Sequence, residues 1–430
     1  MKERILNYQF SFLNYSFTPR SLVAHPLFSG SAIMIIGSNF TNFVAYLYHI
    51  VVGRMLGPSS YGELVAVLAL MGLFFTSFSF ISLVVVKFVS AAKKTQLKGI
   101  YSWFTSRVNK LSVVVAVLLV LVAPRLSSYL HIDLPVLMFL VPILVVGMIS
   151  VVQRAFLQAL LQFKKVVVST VVDIIGRLVL GIIFIYMGFS VLGAVFGIFI
   201  ASFVALILLR YFLSEYGGGK EGDVVIESRK VFMYSIGILV ASVATNSLFS
   251  TDVILVKHYF APFDAGIYAS LSTLGKIIFY GTAPVGAVMF PMVSKKYSKG
   301  ESSKKILILS LIFVSVIAFG VTGVFWLFPE LSIKILFGTK FLDAAVYLTR
   351  FGIFMSIFAI SSLLINFHLS CERSRVVIVA LISATFQIIG IILFHNSILA
   401  IINVSIIAVS FLLFSLLLFL YHEIKKGEII

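Results

Sequence analysis

Long apolar runs separated by short polar breaks organise the chain from about residue 31 to residue 422. Each run approaches or exceeds the roughly 20 residues that carry a helix across the hydrocarbon of a bilayer, and none alternates with the period of two that a barrel strand requires. The pattern predicts twelve spans, over 31–52, 64–88, 108–130, 136–160, 166–187, 190–213, 233–257, 266–293, 305–328, 341–367, 375–395 and 398–422. In lipid a backbone must satisfy its own polar groups, so runs of this length form helices. The expected fold is all-α and integral to a membrane.

Composition agrees with that pattern: 60% of the 430 residues are apolar and 11% are charged, against roughly a quarter charged in soluble domains. Mean hydropathy is +1.13. A net charge of +17 would suggest a nucleic-acid partner in a soluble protein, but here Lys and Arg collect on alternate connections, as the positive-inside rule demands. Lys87, Lys93, Lys94, Lys98, Arg107 and Lys110 lie between the second and third spans, and Arg210, Lys220, Arg229 and Lys230 between the sixth and seventh. The intervening connections hold only Arg54, Arg125, Lys257, Lys334 and Lys340. Both termini are therefore expected in the cytoplasm of a protein of the cell membrane, with membrane lipids and no nucleic acid as partners. Residues 1–30 carry no cleavable signal and read as an aromatic-rich interfacial arm. The single cysteine, Cys371, excludes an internal disulfide.

The stretch from 214 to 232, rich in glycine and mixed charge, reads as a cytoplasmic linker near the middle of the chain. It separates residues 31–213 from 233–422, with 423–430 as a tail. Sliding the chain against itself until Pro58 meets Pro262 also pairs Ser38 with Ser242, Thr41 with Thr245, Asn42 with Asn246 and Gly62 with Gly266. Both copies fall at the end of the first span in a half, where a tight turn leads into the second span. Six spans separate the copies, an even number, so the repeat is parallel and its axis runs along the membrane normal. Two six-helix lobes around a central cavity are expected.

Once the cations near span ends are assigned to the connections, three remain within spans: Arg177, Lys276 and Arg350. Counted from the span starts each lies roughly 14 to 16 Å deep, where a charge costs about 2.5 to 3.5 kcal/mol on insertion scales. Such residues face a bundle interior. Asp173 and Arg177, four apart, stack on one helix face and are expected to pair. Asp252 is placed to pair with Lys276 or to hold a coupling cation, Na+ or H+. Asn42 and Asn246 add amides at inner to middle depth, while Arg154 and Lys87 lie nearer the cytoplasmic mouth, where snorkelling to headgroups competes with a binding role. An excess of intramembrane bases over acids calls for an anionic ligand. The seven histidines are scattered without a metal-binding spacing, and the GGGK run at 217–220 lacks the spacing of a phosphate loop. Neither an enzyme nor a metal or organic cofactor is expected.

The stretch VVGRMLGPSSYGELVAVLAL resembles the Arg-x-Leu-Gly-Pro-x-x-Tyr-Gly signature that follows the first helix of polysaccharide biosynthesis proteins, the O-antigen type oligosaccharide flippases. DVILVKHYFAPFDAGIYASLSTL is similar to their second-half counterpart, and FLQALLQFKK to the exit of their fourth helix. The resemblance implies the fold of the multidrug/oligosaccharidyl-lipid/polysaccharide exporter superfamily. It also implies movement of a polyprenyl-pyrophosphate-linked glycan to the outer leaflet alongside glycan-assembly enzymes, with Lys276 facing the pyrophosphate. Pro262 and Phe263 depart from the family's usual second turn. A cation-coupled multidrug exporter of the same fold is the alternative, and a glycan polymerase or ligase a more distant one.

Overall fold

A computed structural model of the chain describes residues 26–90, 92–217, 228–373 and 375–425. Most of the expected interfacial arm, the centre of the linker and the last residues of the tail lie outside them. The described elements are helical, in the order α1 (Pro26–Ser90), α2 (Leu97–Leu130), α3 (Leu134–Ala159), α4 (Phe163–Phe184), α5 (Ser190–Phe212), α6 (Ser228–Tyr259), α7 (Pro262–Tyr297), α8 (Lys304–Leu327), α9 (Pro329–Leu336), α10 (Ala345–Ser370), α11 (Val376–Leu393) and α12 (Ile398–Lys425). Among the described residues, nine helical segments are long and apolar enough to cross a membrane, which makes this a multi-pass membrane protein. Two of the nine contain a break. One lies in α1 at Gly57, with φ 72° and ψ 176°. The other falls between α4 and α5, where Gly188 has φ 93° and Ser190 φ 47°.

The break in α1 follows from its sequence. Gly57 takes a positive φ that costs glycine least, and Pro58 behind it restarts the helix, since a proline sacrifices no bond in a first turn. Its repeat partner, Pro262, likewise occupies the first turn of α7, after a turn through Phe260 and Ala261. The end of the bundle carrying both turns is called the hairpin end below.

Buried apolar residues form one cluster drawn almost wholly from 244–420, joined by Tyr61, Val65 and Ala69, and two clusters from the first half of the chain. Outside these, long apolar stripes are exposed, such as Val113, Val114, Val117 and Leu121 on α2. In a bilayer such surface meets acyl chains rather than water.

At the hairpin end the halves touch backbone to backbone. A Cβ on Gly266 would lie 1.9 Å from the Pro58 carbonyl oxygen, and one on Gly62 would lie 2.6 Å from the Gly266 nitrogen. The two glycines paired by the sequence repeat thus pack on one another, and only hydrogens fit between them. Arg54 reaches into the other half, where its Nε donates to the Leu336 carbonyl (3.2 Å) and its Nη2 to those of Lys334 (3.4 Å) and Ile335. These carbonyls lie at the C-terminus of α9, where a cation is favoured. The residue matched to Arg54 by the repeat is His258, and its Nδ1 donates to the Tyr129 carbonyl near the end of α2 in the first half. His258 also stacks on Tyr129 at 3.7 Å between ring centres. Each half thus clasps the other through the same repeat position.

Candidate functional site: two adjoining chambers

A central chamber of about 300 Å³ lies between α1, α6 and α7. Both arms of α1 contribute, and the break at Gly57 is what folds them back on one another to do so. Asn42, Tyr46 and His49 come from the first arm, Leu68, Gly72 and Thr76 from the second, Asn246 and Phe249 from α6, and Thr273, Lys276 and Tyr280 from α7. Among the described residues no Asp or Glu lines it. The Lys276 Nζ lies 4.7 Å from the centre of the Phe249 ring, a cation–π contact. Among the described residues no carboxylate approaches it within 4.0 Å.

Hydrogen bonds cross the chamber from half to half. Asn246 Nδ2 donates to Thr76 Oγ1 at 2.9 Å, and Tyr46 donates to the Thr273 carbonyl at 2.9 Å. Thr273 Oγ1 donates to the Ala269 carbonyl at 2.9 Å, so it accepts from Tyr61 Oη, also at 2.9 Å. Tyr61 in turn accepts from His49 Nδ1 at 3.0 Å. That chain of donors, assigned from its direction, leaves His49 Nε2 as an acceptor.

A second chamber of about 380 Å³ opens among helices of the first half, lined by Leu68, Met71, Gly72 and Phe75 of α1, Gly147, Ser150, Val151 and Arg154 of α3, Asp173 and Arg177 of α4, and Ser202 of α5. Asp173 is at its centre. One oxygen accepts from Arg177 Nε (2.8 Å) and Ser202 Oγ (3.0 Å), the other from Arg177 Nη2 (2.9 Å) and Arg154 Nη2 (3.3 Å). Four donors fill a carboxylate's lone-pair sites. Asp173 therefore holds two guanidinium groups in place and has no oxygen left for a coupling cation.

The sequence-derived candidates divide accordingly. Asn42, Asn246 and Lys276 meet in the central chamber, and Arg154, Asp173 and Arg177 in the second. Asp252 is 1% exposed, accepting from Tyr268 Oη at 2.7 Å and from the Val253 N–H at 2.9 Å. It forms no ion pair with Lys276 within 4.0 Å among the described residues. Arg350 is not beside them: α10 begins at Ala345, after the short helical stretch Thr339–Ala344, and Arg350 sits exposed in its second turn. It lines neither chamber, and nor does Lys87, exposed in the last turn of α1. His49, Tyr46 and Ser202 are not among the residues that sequence reasoning singles out. Of these, His49 carries a signal, as an ionisable group within an apolar run.

An all-helical membrane protein with polar, cation-bearing chambers among its helices is built as membrane transporters are. The family model for polysaccharide biosynthesis proteins matches residues 27–296, and the chain belongs to that family. No curated protein sequence matches it significantly. Its fold is similar to an inward-facing multidrug resistance MATE family transporter of the MOP superfamily, at TM-score 0.74 and 13% identity over 90% of this chain and 94% of that one. It is also similar to the lipid II flippase MurJ in an inward closed conformation, at TM-score 0.70 and 14% identity over 89% and 87%. The MATE multidrug transporter DinF-BH gives TM-score 0.65 and 16% identity over 93% and 95%. The chain is thus a member of the polysaccharide biosynthesis family with a fold like that of MATE transporters and the flippase MurJ.

Proposed function

We infer that the protein is a flippase that moves a polyprenyl-pyrophosphate-linked oligosaccharide from the cytoplasmic to the outer leaflet of the cell membrane by alternating access. The observation that carries this is Lys276, a part-buried cation facing a chamber with no acidic lining and no carboxylate within 4.0 Å among the described residues. A cation held there without a direct ion pair is stabilised by an anionic group, and a pyrophosphate supplies one while its lipid tail remains in the bilayer. A cationic drug would be repelled there, which ranks the exporter reading second. Membership of the polysaccharide biosynthesis family fits a glycan cargo.

Of the twelve labelled helices, counting the two arms of α1 separately and leaving out the short α9 gives twelve crossings, six on either side of the linker, with both termini on the cytoplasmic side. Two lobes then rock about the chamber, and the glycine seam and the Arg54 and His258 clasps close the outward end in the present state. Asp252 is the carboxylate for coupling, since no cation offsets its charge within 4.0 Å among the described residues and its place in the second lobe suits a proton or Na+. The test is translocation in proteoliposomes. Lys276→Gln is expected to leave labelled undecaprenyl-pyrophosphate glycan on the leaflet where it was loaded, and drug efflux without glycan movement would move the assignment to the exporter.

A further inference from the structure

The two chambers share the lining residues Leu68 and Gly72. The second arm of α1 is the wall between them, turning Leu68, Gly72 and Thr76 to the central chamber and Leu68, Met71, Gly72 and Phe75 to the other, each set at helical spacing. At Gly72 the wall carries no side chain. A Cβ built there meets nothing within 4 Å, whereas one on Gly62, on the same arm, would collide with backbone. Packing does not require a glycine at 72, and its bare backbone faces both chambers.

What lies beyond the opening is rich in donors and poor in acceptors. Asp173 is saturated, and the side chains of Arg154 and Arg177 remain 25% and 26% exposed. Among the described residues the Nη1 group of each has no protein acceptor. Ser150 adds a hydroxyl, and Phe75 and Met71 an apolar wall. Two guanidiniums around one carboxylate leave the site with net positive charge. At about 380 Å³ it falls within the roughly 300 to 1,000 Å³ typical of small-molecule sites.

We propose that this side chamber is the subsite for a sugar unit of the cargo, entered through a throat at Gly72 while the pyrophosphate rests by Lys276, and that it prefers an acidic sugar to a neutral one. The proposal rests on the flippase reading above. A sugar ring has an acceptor-rich edge for the guanidinium forks and an apolar face for Phe75, and a carboxylate on the ring pairs with a guanidinium in bidentate geometry. An ammonium finds no free carboxylate there among the described residues and meets two guanidiniums. Gly72 is then a specificity-determining residue, since any larger side chain projects into the throat.

The test measures binding of three probes to the purified full-length protein in nanodiscs: bare undecaprenyl pyrophosphate, the same lipid carrying one neutral hexose, and the same lipid carrying one hexuronic acid. In the wild type the hexuronic acid form binds about tenfold tighter than the bare lipid, the worth of one charge-assisted contact, with the hexose form between. In Gly72→Leu the three affinities converge. Leucine replaces glycine inside a helix with open space around it, so this variant's thermal stability stays at or above wild type. Arg177→Lys, which keeps the charge and loses the fork, flattens the ranking through a different residue. A wild type indifferent to the sugar, one that favours the hexose over the hexuronic acid, or a ranking that survives Gly72→Leu overturns the assignment while the flippase reading stands. Failure of the wild type to bind even the bare lipid overturns both.

Discussion

In the first half of the chain Asp173 holds two guanidinium groups beside a chamber of about 380 Å³. In the second half Asp252, buried at least as deeply, accepts from Tyr268 and a backbone N–H, and the cavity among α7, α8 and α10 is about 70 Å³. The surfaces on which the halves meet differ far less: Gly62 packs on Gly266, and Arg54 and His258, one repeat position apart, each seize a carbonyl end in the opposite half. A duplicated scaffold is held to its pattern where the copies must fit each other, because a single added carbon there has nowhere to go. Its interiors are free to diverge. One half lines its chamber with guanidinium donors, and the other buries an acid that has no ion-pair partner within 4.0 Å among the described residues.

The shared seam is the most sensitive to substitution. Gly266→Ala drives a methyl group against the Pro58 carbonyl and is expected to cost about 3 kcal/mol or more, read as a large drop in melting temperature in detergent; Gly72→Ala, with open space, costs nothing by the same measurement. The two interiors are told apart by removing each acid's charge. Asp173→Asn leaves two arginines sharing a lost counter-charge and is expected to destabilise by about 2 kcal/mol, less than for a fully buried pair because both arginines are partly exposed. Asp252→Asn leaves melting unchanged while abolishing dependence of transport on an ion gradient, which a proteoliposome flux assay under imposed proton or Na+ gradients reads directly. The clasps are the weakest probes. Arg54→Ala removes bonds from a charged group to helix-end carbonyls and is expected to shift the seam by about 1 kcal/mol, seen as faster labelling of a cysteine placed at Asn42 in a Cys371→Ser background. His258→Ala shifts it less, since it removes one hydrogen bond and one ring stack where Arg54 makes three bonds from a charged group.

Much of this is legible in the chain itself. Long apolar runs leave a backbone in lipid no option but the helix, and the Pro58/Pro262 and Gly62/Gly266 pairs announce the repeat because turns and close approaches tolerate few residue types. The pairing of Asp173 with Arg177 follows from a spacing of four. Depth and facing are not legible in the same way. Arg350 lies in a span as Arg177 and Lys276 do, yet it is exposed and lines neither chamber, because counting residues along a run does not say which way the helix turns a side chain. The part Arg154 plays with Asp173 depends on two helices meeting at a particular rotation, which one sequence does not encode locally. Gly72 looks like any glycine in a membrane helix until the space beside it is known.

Lys276, on this reading, holds the anionic group of a lipid-linked glycan in the central chamber, and the whole functional assignment depends on that contact. It is tested by leaflet-to-leaflet movement of labelled undecaprenyl-pyrophosphate glycan by purified protein in proteoliposomes, comparing wild type with Lys276→Gln and Lys276→Arg. A loss of roughly tenfold or more is expected for Lys276→Gln, the scale of a lost charge-assisted contact, with substantial recovery in Lys276→Arg. Glycan movement by Lys276→Gln at the wild-type rate would contradict it.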